Sequence, residues 1–376
     1  MLHIVNYIKA NGLAKAIETF KLKTRVYDKK ICLKYDQLES PMDAIEVQEC
    51  RGLVLERDTW KVLCLSFFKF FNYGETNAAK IDLDTAIVQY KADGTLIQCY
   101  YDPHKEKWFA ATTGTAEGEG EVNNKRGTTF NELFWETINR YSGFKVSQLL
   151  KENTYVFELC TPYNVVVTPH TVSTVTLLTI RDNNTLEEYS YDIVKWTGDN
   201  VFHVPVIDVV KMNQVNFNDI IETFKDMPWS EEGYVVVDEN FNRVKIKNPA
   251  YVAIHHTKNK LGEHHILEII KTNEIEEYMS VFTERRDEIL SLELAYKNFI
   301  SRLDACWFEL KNLLPKNITK EEQKLFAMNV FKICDKHKLK EFTGLFFCLK
   351  DGKINSVVEY VRNLDNKKLW DYLVKK

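Results

Sequence analysis

The sequence has few of the features that would assign a chain to a specialised class. Its eight cysteines are scattered and form no C-x-x-C pair, which argues against a structural zinc site and against a disulfide framework. No apolar run approaches the roughly 20 residues that cross a bilayer, and the first residues lack the apolar core of a signal peptide. Internal repeats and extended low-complexity tracts are also missing. We therefore expect a globular, cytoplasmic protein with reduced, mostly buried cysteines and no membrane partner.

A large charge excess of one sign is lacking too. The chain carries 50 basic and 54 acidic residues, for a formal net charge of −4, whereas a general nucleic-acid-binding protein is strongly basic. Residues 251–376 hold 22 Lys and Arg against 19 Asp and Glu, about +3, which leaves about −7 for residues 1–250. Any nucleic-acid contact must therefore come from local patches.

The residue pattern changes near position 250. Before it, short runs rich in Val, Tyr, Thr and Phe alternate with turn signals such as Asp182-Asn183-Asn184-Thr185, which is typical of a strand-rich α+β domain. After it, apolar residues step by three or four along one helical stripe: Leu292, Tyr296, Phe299, Leu303, Trp307, Leu310 and Leu314. The residues Thr319-Lys320-Glu321-Glu322 form a capping box that opens another helix. We predict an α+β domain over 1–252 and an all-α domain over 253–376.

The most informative short pattern is Lys91-Ala92-Asp93-Gly94. K-x-D-G is the signature in which a lysine side chain takes a nucleotide monophosphate from a nucleoside triphosphate. The alternative is that Asp93-Gly94 is only a hairpin turn. Residues 88–90 and 95–101 both resemble strands, which places Lys91 at a strand end, facing a cleft.

Two cations precede this pattern in unusual surroundings. Arg51 stands before Gly52, where a guanidinium fork can meet phosphate oxygens at a close backbone approach, although a surface salt bridge is an equal alternative. Lys69 lies among four phenylalanines. An isolated lysine in such a cluster usually extends its ammonium group to water while its stem packs.

Two carboxylates follow the K-x-D-G pattern in the sequence. Glu158 shares a strand face with Val156 and Cys160 and therefore needs a partner: a structural cation, a ribose hydroxyl or a divalent metal. Glu232 precedes the strand-like residues 234–237, and its alternative is a solvated loop.

A third group of cations alternates with apolar residues. Arg243, Lys245 and Lys247 fall on one strand face, with Val244 and Ile246 on the other. The simple interpretation is a half-buried strand with one solvent-exposed face. Unpaired like charges two residues apart repel each other, however, so the pattern indicates an anion such as a triphosphate over this face.

Taken in order, these segments carry a family resemblance. They are Glu49-Cys50-Arg51-Gly52, Lys69-Phe70-Phe71-Asn72, Lys91-Ala92-Asp93-Gly94, Phe157-Glu158, Glu232-Gly233-Tyr234-Val235 and Val244-Lys245-Ile246-Lys247. The set resembles the covalent nucleotidyltransferase superfamily of ATP-dependent ligases and capping enzymes. Leu177-Leu178-Thr179-Ile180-Arg181 and the region from Tyr251 to His255 add a closer match. With them, the chain is similar to the RNA ligase family typified by the first RNA ligase of T-even bacteriophages, and the similarity spans nearly the whole chain.

The resemblance implies both a fold and an activity. The fold is an N-terminal nucleotidyltransferase domain, an ATP-grasp-like ligase adenylylation domain of antiparallel sheets and helices, followed by a helical domain that contributes to RNA specificity. The activity is ATP-dependent joining of 5'-phosphate and 3'-hydroxyl ends of single-stranded RNA through lysyl-AMP, with Mg²⁺ or Mn²⁺. It further implies a monomer that repairs cleaved tRNA anticodon loops, in the host cytoplasm if a phage encodes it.

The resemblance also implies roles for individual residues. Lys91 is the nucleophile, and Lys245 and Lys247 assist it and contact ATP. The other ATP contacts are Arg51, Lys69 and Tyr251 at the triphosphate, Glu158 at the ribose, and Asp93 and Gly94. Glu232, with Glu158, is the metal ligand.

One position departs from the family pattern, which places a phosphate-binding lysine just before Gly-Ser. Here the stretch reads Ala111-Thr112-Thr113-Gly114-Thr115, and Thr113 cannot supply that charge.

The alternatives to an RNA ligase are a capping-type enzyme, a DNA-ligase-type enzyme and a non-catalytic RNA-binding relative. The first two normally carry a C-terminal β-barrel, which the helical stripe argues against, and the third conflicts with the retained lysines and carboxylates.

Overall fold

A computed structural model describes residues 1–123, 127–210, 212, 214–257, 265–281, 286–314 and 319–374. The chain divides into two compact units, Met1–Lys258 and Asn259–Lys376. Each has its own apolar core.

The first unit contains strands that form three sheets. The strands are β1 (Leu22–Val26), β2 (Lys30–Tyr35), β3 (Arg51–Glu56), β4 (Val62–Cys64), β5 (Phe71–Asn72), β6 (Ile87–Tyr90), β7 (Thr95–Asp102), β8 (Lys107–Ala111), β9 (Asn153–Cys160), β10 (Thr174–Asp182), β11 (Val209–Val210), β12 (Gly233–Val237) and β13 (Arg243–Lys247).

Helices cover these sheets or connect their strands. They are α1 (His3–Asn11), α2 (Leu13–Phe20), α3 (Ile45–Glu49), α4 (Phe130–Ile138), α5 (Tyr191–Thr197), α6 (Phe217–Thr223) and α7 (Pro249–Thr257), with a 3₁₀ turn at Val146–Gln148 and a π turn at Gly198–Phe202.

The first sheet is an antiparallel meander in the order β1-β2-β3-β4. Its residues Leu33, Leu53 and Leu55 pack with α1 and α2 in one core. Glu49, from the first family segment, is buried there and accepts the backbone N–H groups of His3 and Ile4 at 3.0 and 2.8 Å. Because these N–H groups begin α1 and have no partner inside the helix, Glu49 caps that helix.

The other two sheets meet at the K-x-D-G pattern. The second has the order β10-β9-β7-β8 and the third the order β11-β6-β12-β13-β5. All pairings are antiparallel except that of β13 with β5. Because β6 belongs to the third sheet and β7 to the second, residues 91–94 cross between sheets. The alternative of a hairpin turn at Asp93-Gly94 is therefore wrong, since a hairpin would pair β6 with β7.

In the described part of the second unit, the regular secondary structure is entirely helical. Its helices are α8 (His265–Thr272), α9 (Ile275–Val281), α10 (Arg286–Lys311), α11 (Lys320–Lys336), α12 (Thr343–Lys350), α13 (Val357–Arg362) and α14 (Asn366–Val374), with a 3₁₀ turn at Lys340–Phe342.

The predicted stripe is the buried face of α10. Leu292, Phe299, Leu303 and Leu310 are buried in its core, and Trp307 packs against them. The stripe is shorter than predicted, because α10 ends at Lys311 and Leu314 is 38% exposed beyond it. Thr319 caps α11 by accepting the N–H of Glu322 at 3.3 Å, as the capping box predicts.

The predicted fold class is confirmed: antiparallel sheets with helices, followed by a helical region. All eight cysteines are unpaired and seven are buried, with Cys348 half-buried. Among the described helices, none is both long and apolar enough to span a membrane.

Candidate active site

Lys91 follows the last residue of β6 and remains tied to the third sheet. Its backbone N–H donates to the carbonyl of Gly233 at 2.8 Å, which extends the pairing of β6 with β12 by one step. The side chain is 23% exposed, and its Nζ lies 2.7 Å from Glu232 Oε2. The lysine is thus accessible but held by a buried carboxylate.

Glu232 lies between two lysines. It is 6% exposed, and its second oxygen, Oε1, is 3.3 Å from the Nζ of Lys247 on β13. The following residue must be glycine: Gly233 has φ +129°, and a Cβ there would lie 2.2 Å from the carbonyl oxygen of Ile246. A larger residue would push β12 away from β13 and separate Glu232 from Lys247.

Glu158 is the second carboxylate of the site. It lies on β9, half-buried, and its pKa is raised to about 7, first by burial and then by the nearby negative charge of Glu232. The positive charges of Lys91 and Arg51 act in the opposite direction. A carboxyl group with this pKa exchanges a proton near neutral pH, which is typical of functional sites.

Arg51, at the start of β3, packs against the rings of Phe67 and Phe70, which contact each other edge to face. Its guanidinium is 4.7 Å from the ring centre of Phe67 and 5.3 Å from that of Phe70. Burial lowers the pKa of Arg51, whereas Tyr35 and Glu158 favour its charged form. The site therefore holds a partly desolvated cation, which binds an anion more strongly than one in water does.

Gly52 lets the backbone of Thr113 come close to Arg51. It has φ +77°, and a Cβ there would lie 2.7 Å from the Cα of Thr113. Thr113, where the family resemblance would place a lysine, therefore packs directly against Gly52.

Lys69 and Lys245 also lie near aromatic rings. Lys245 Nζ is 5.9 Å from the ring centre of Phe70, and Lys69 Nζ is 5.2 Å from that of Phe71. Lys69 also lines a cleft of about 480 Å³. Arg51 and Lys245 thus share the ring of Phe70, whereas Lys69 lies against Phe71 and Tyr35.

Arg243 and Lys247 on β13 each have a carboxylate partner, so for these two residues the premise of unpaired charges is wrong. Arg243 donates to both oxygens of Glu188, at 2.9 and 2.5 Å, and Lys247 pairs with Glu232. Glu188 also accepts from Arg181, which makes a buried Arg-Glu-Arg triad. The alternation itself is confirmed, because Val244 and Ile246 are buried on the opposite face.

Asp93 and Gly94 make structural contacts. The Asp93 carboxylate is buried and accepts the backbone N–H groups of Val167 and Thr168 at 3.0 and 2.5 Å. A Cβ on Gly94 would lie 2.6 Å from the carbonyl oxygen of Leu159. Gly94 thus permits the entry of the chain into the second sheet.

Tyr251 is only 2% exposed, on α7. The Nζ of Lys247 lies 5.9 Å from its ring centre. The ring therefore packs beside a lysine of the site.

The two carboxylates of the site, Glu158 and Glu232, could hold a divalent metal only if a substrate supplied further ligands. Among the residues described here, no group of three or more His, Cys, Asp or Glu side chains is arranged to hold a metal. Glu232 is close enough to Glu158 for its negative charge to raise the pKa of Glu158. Mg²⁺ is commonly held by one or two carboxylates plus substrate phosphates, and this pair matches that donor set.

Sequence reasoning missed Glu188, Arg181 and the connection 161–173. Arg181 lies inside a segment, residues 177–181, that resembles the family but suggested no role. No local pattern predicts that Glu188 joins Arg243, 55 residues away. Such partners are set by strand pairing across sheets.

A sequence model of the RNA ligase family matches residues 49–251, more than half of the chain. The protein therefore belongs to the RNA ligase family, and the resemblance stated above is confirmed. The matched range begins at Glu49 and ends at Tyr251, so it contains every residue proposed for the site.

Individual relatives agree with this family. An RNA ligase of Rhodothermus phage RM378 is 24% identical over 381 residues, covering 82% of each chain. A putative bifunctional polynucleotide kinase/RNA ligase of Autographa californica nuclear polyhedrosis virus is 25% identical over 308 residues, covering 77% of this chain but only 43% of that protein. An archaeal ATP-dependent RNA ligase structure is 12% identical with a TM-score of 0.47, over 90% of this chain and 81% of that one.

Proposed function

We propose that the protein is an ATP-dependent RNA ligase that joins 5'-phosphate and 3'-hydroxyl ends of single-stranded RNA through lysyl-AMP. The observation that carries the proposal is the placement of Lys91. Its Nζ is accessible and lies 2.7 Å from Glu232, which also pairs with Lys247, and its charge, like that of Arg51, lowers the pKa of Glu158. An accessible lysine in a site that holds further cations suits nucleophilic attack on a phosphate.

The first step is transfer of AMP to Lys91. The deprotonated Nζ attacks the α-phosphorus of ATP, a phosphorus–nitrogen bond forms, and the bond to pyrophosphate breaks. In the structure the Nζ donates to Glu232 Oε2, which is the nearest acceptor for the proton that must leave. Lys247 and Lys245 supply positive charge for the transferring group, where most of the catalytic benefit of charge arises.

The next two steps use RNA. The 5'-phosphate of one end attacks the phosphorus of lysyl-AMP and releases Lys91. The 3'-hydroxyl of a second end then attacks the adenylylated 5'-phosphate and releases AMP, closing the phosphodiester. Each step exchanges one phosphorus bond for another and needs no further reactant.

The binding roles follow from the same placement. Arg51 and Lys245 near the ring of Phe70, and Lys69 near that of Phe71, would bind the triphosphate, with Tyr251 beside Lys247. Glu158 would accept a ribose hydroxyl. Glu232 and Glu158 would hold Mg²⁺ or Mn²⁺, which when bound neutralises phosphate charge.

The biological role proposed is RNA repair, with cleaved tRNA anticodon loops as one substrate. We propose a monomer acting in the cytoplasm, with the adenylylation domain at 1–252 and the helical domain at 253–376 contributing to RNA choice. The support is the family resemblance, together with the slightly basic composition of residues 251–376.

The test is a labelling experiment. The purified protein is incubated with Mg²⁺ and either α-labelled ATP or α-labelled GTP, and 5'-phosphorylated single-stranded RNA is then added. Labelled protein from ATP and circular RNA are expected. Label from GTP without circles would instead indicate a capping-type enzyme, and no labelled protein at all would refute the role of Lys91.

A further inference from the structure

The connection 161–173 between β9 and β10 contacts both sheets that meet at Lys91. Its ends are closed by a hydrogen bond of 3.0 Å between the buried hydroxyls of Thr161 and Ser173. From its middle, the backbone N–H groups of Val167 and Thr168 donate to the Asp93 carboxylate. The connection is thereby fixed to the residues that follow Lys91.

The same connection also reaches the segment that precedes Glu232. The hydroxyl of Thr168 donates to the carbonyl of Ser230 at 2.7 Å, and Ser230 lies two residues before Glu232. On the other side, Nε2 of His170 lies 2.7 Å from the carbonyl oxygen of Asp93. Thr168 therefore contacts the neighbours of both members of the Lys91–Glu232 pair: Asp93 through its N–H, and Ser230 through its hydroxyl.

We propose that Thr168 is a positioning residue for the adenylylation of Lys91. It touches neither Lys91 nor Glu232 directly in the contacts above. It joins the crossing at 91–94 to the segment entering β12, and so holds the nucleophile against its carboxylate. The inference rests on the proposed function, since it concerns the rate of lysyl-AMP formation.

The expected effect is modest but measurable. One hydrogen bond contributes about 0.5–1.5 kcal/mol, and small misplacements of reacting groups are known to slow catalysis disproportionately. We therefore expect Thr168→Val, which removes the hydroxyl and keeps the shape, to lower the single-turnover rate of adenylylation roughly three- to tenfold. The KM for ATP should change less than the rate, because no nucleotide contact is removed.

Two variants serve as controls. Thr168→Ser keeps the hydroxyl and should retain the wild-type rate. Thr137→Val removes a hydroxyl that donates to a backbone carbonyl at the same distance, 2.7 Å, but within α4, and it too should adenylylate normally. Equal slowing in Thr137→Val and Thr168→Val would mean that general stability is responsible, and would overturn the proposal.

A second readout is independent of activity. Hydrogen exchange of the backbone N–H groups in 161–173 and 230–233 should be faster in Thr168→Val than in Thr168→Ser, because the bond that joins the two segments is missing. Should Thr168→Val fail to fold, Thr168→Ala removes the same hydroxyl without a branched side chain.

The outcomes separate this inference from the proposed function. A wild-type protein that forms no lysyl-AMP refutes the proposed function. A wild-type protein that forms lysyl-AMP, with Thr168→Val forming it equally fast, refutes the inference alone. Slowing confined to the RNA-joining steps would also refute it, and would indicate that the connection contacts RNA through its exposed residues Val165 and Val166.

Discussion

At the scale of single residues, the site depends on carboxylates that have more than one cation to pair with. Glu232 pairs with Lys91 through one oxygen and with Lys247 through the other. When Lys91 loses its positive charge, Glu232 keeps a partner in Lys247. Lys91, the proposed nucleophile, can therefore be deprotonated without leaving a buried carboxylate uncompensated, which would be costly.

The nucleophile itself can be tested with a pair of substitutions. Lys91→Ala and Lys91→Arg should both abolish the acid-stable, radiolabelled enzyme–AMP adduct, because neither side chain can accept AMP. Lys91→Arg keeps a cation beside Glu232 and should melt close to the wild-type temperature, which separates chemistry from folding. An undiminished adduct in either variant would contradict the assignment.

The raised pKa of Glu158 predicts how stability depends on pH. Its pKa is about 7 in the folded protein, against an ordinary value of 4.5 for a glutamate, so the folded state binds more protons than the unfolded state between these values. The free energy of unfolding should therefore fall as pH rises from about 4.5 to 7, by at most about 3 kcal/mol. Glu158→Gln, which cannot ionise, should lack this component.

The measurement is urea unfolding of the wild type and Glu158→Gln at several pH values between 5 and 8. The difference between the two curves should widen in favour of Glu158→Gln as pH rises. Parallel curves would show that Glu158 titrates normally.

At the scale of elements, the Arg181–Glu188–Arg243 triad joins the second and third sheets. Arg181 lies on β10 and Arg243 on β13, and both donate to the same buried carboxylate. Removing one partner from a buried ion pair leaves charge without compensation and costs about 3–5 kcal/mol. The triad thus makes the contact between these sheets sensitive to a single residue.

We expect Glu188→Ala to destabilise the protein by about 3–5 kcal/mol in urea unfolding. The matched control is Glu136→Ala, which removes an exposed pair with Arg140 on the surface near α4 and should cost at most about 1 kcal/mol. Similar losses for the two variants would mean that the triad adds nothing beyond a surface pair.

Prediction from sequence succeeds for elements whose evidence is local. The alternation in β13, the cap of α11 and the buried face of α10 all follow from residues within one turn or one strand. It fails where a partner is distant: the carboxylate that neutralises Arg243 and the N–H groups that bind Asp93 are 55 and 74 or 75 residues away. Charge patterns reveal which residues need partners, but strand pairing decides which partners they find.

At the scale of the whole molecule, each unit has its own core, and all of the proposed site residues fall in the first. We expect a chain truncated to residues 1–258 to form lysyl-AMP and to join unstructured single-stranded RNA. It should lose the preference that we propose for the full chain, which is for cleaved tRNA anticodon loops over such RNA.

That preference is measured by competition between the two RNAs for the full chain and the truncated one. An equal loss of joining for both substrates would contradict a division of labour between the units. Loss of lysyl-AMP formation itself would show that the second unit is needed for the first step.

Because the chain crosses between two sheets at K-x-D-G, the number of residues in this pattern limits the distance between the sheets. Lys91 is hydrogen-bonded to the third sheet, and Gly94 packs against β9 of the second. An extended chain advances at most about 3.3–3.6 Å per residue, so the two residues between them can span only a narrow gap. The number of residues in the pattern therefore matters as well as their identity. The side chain at position 92 can vary, but an insertion or deletion there would change the distance that separates the two sheets.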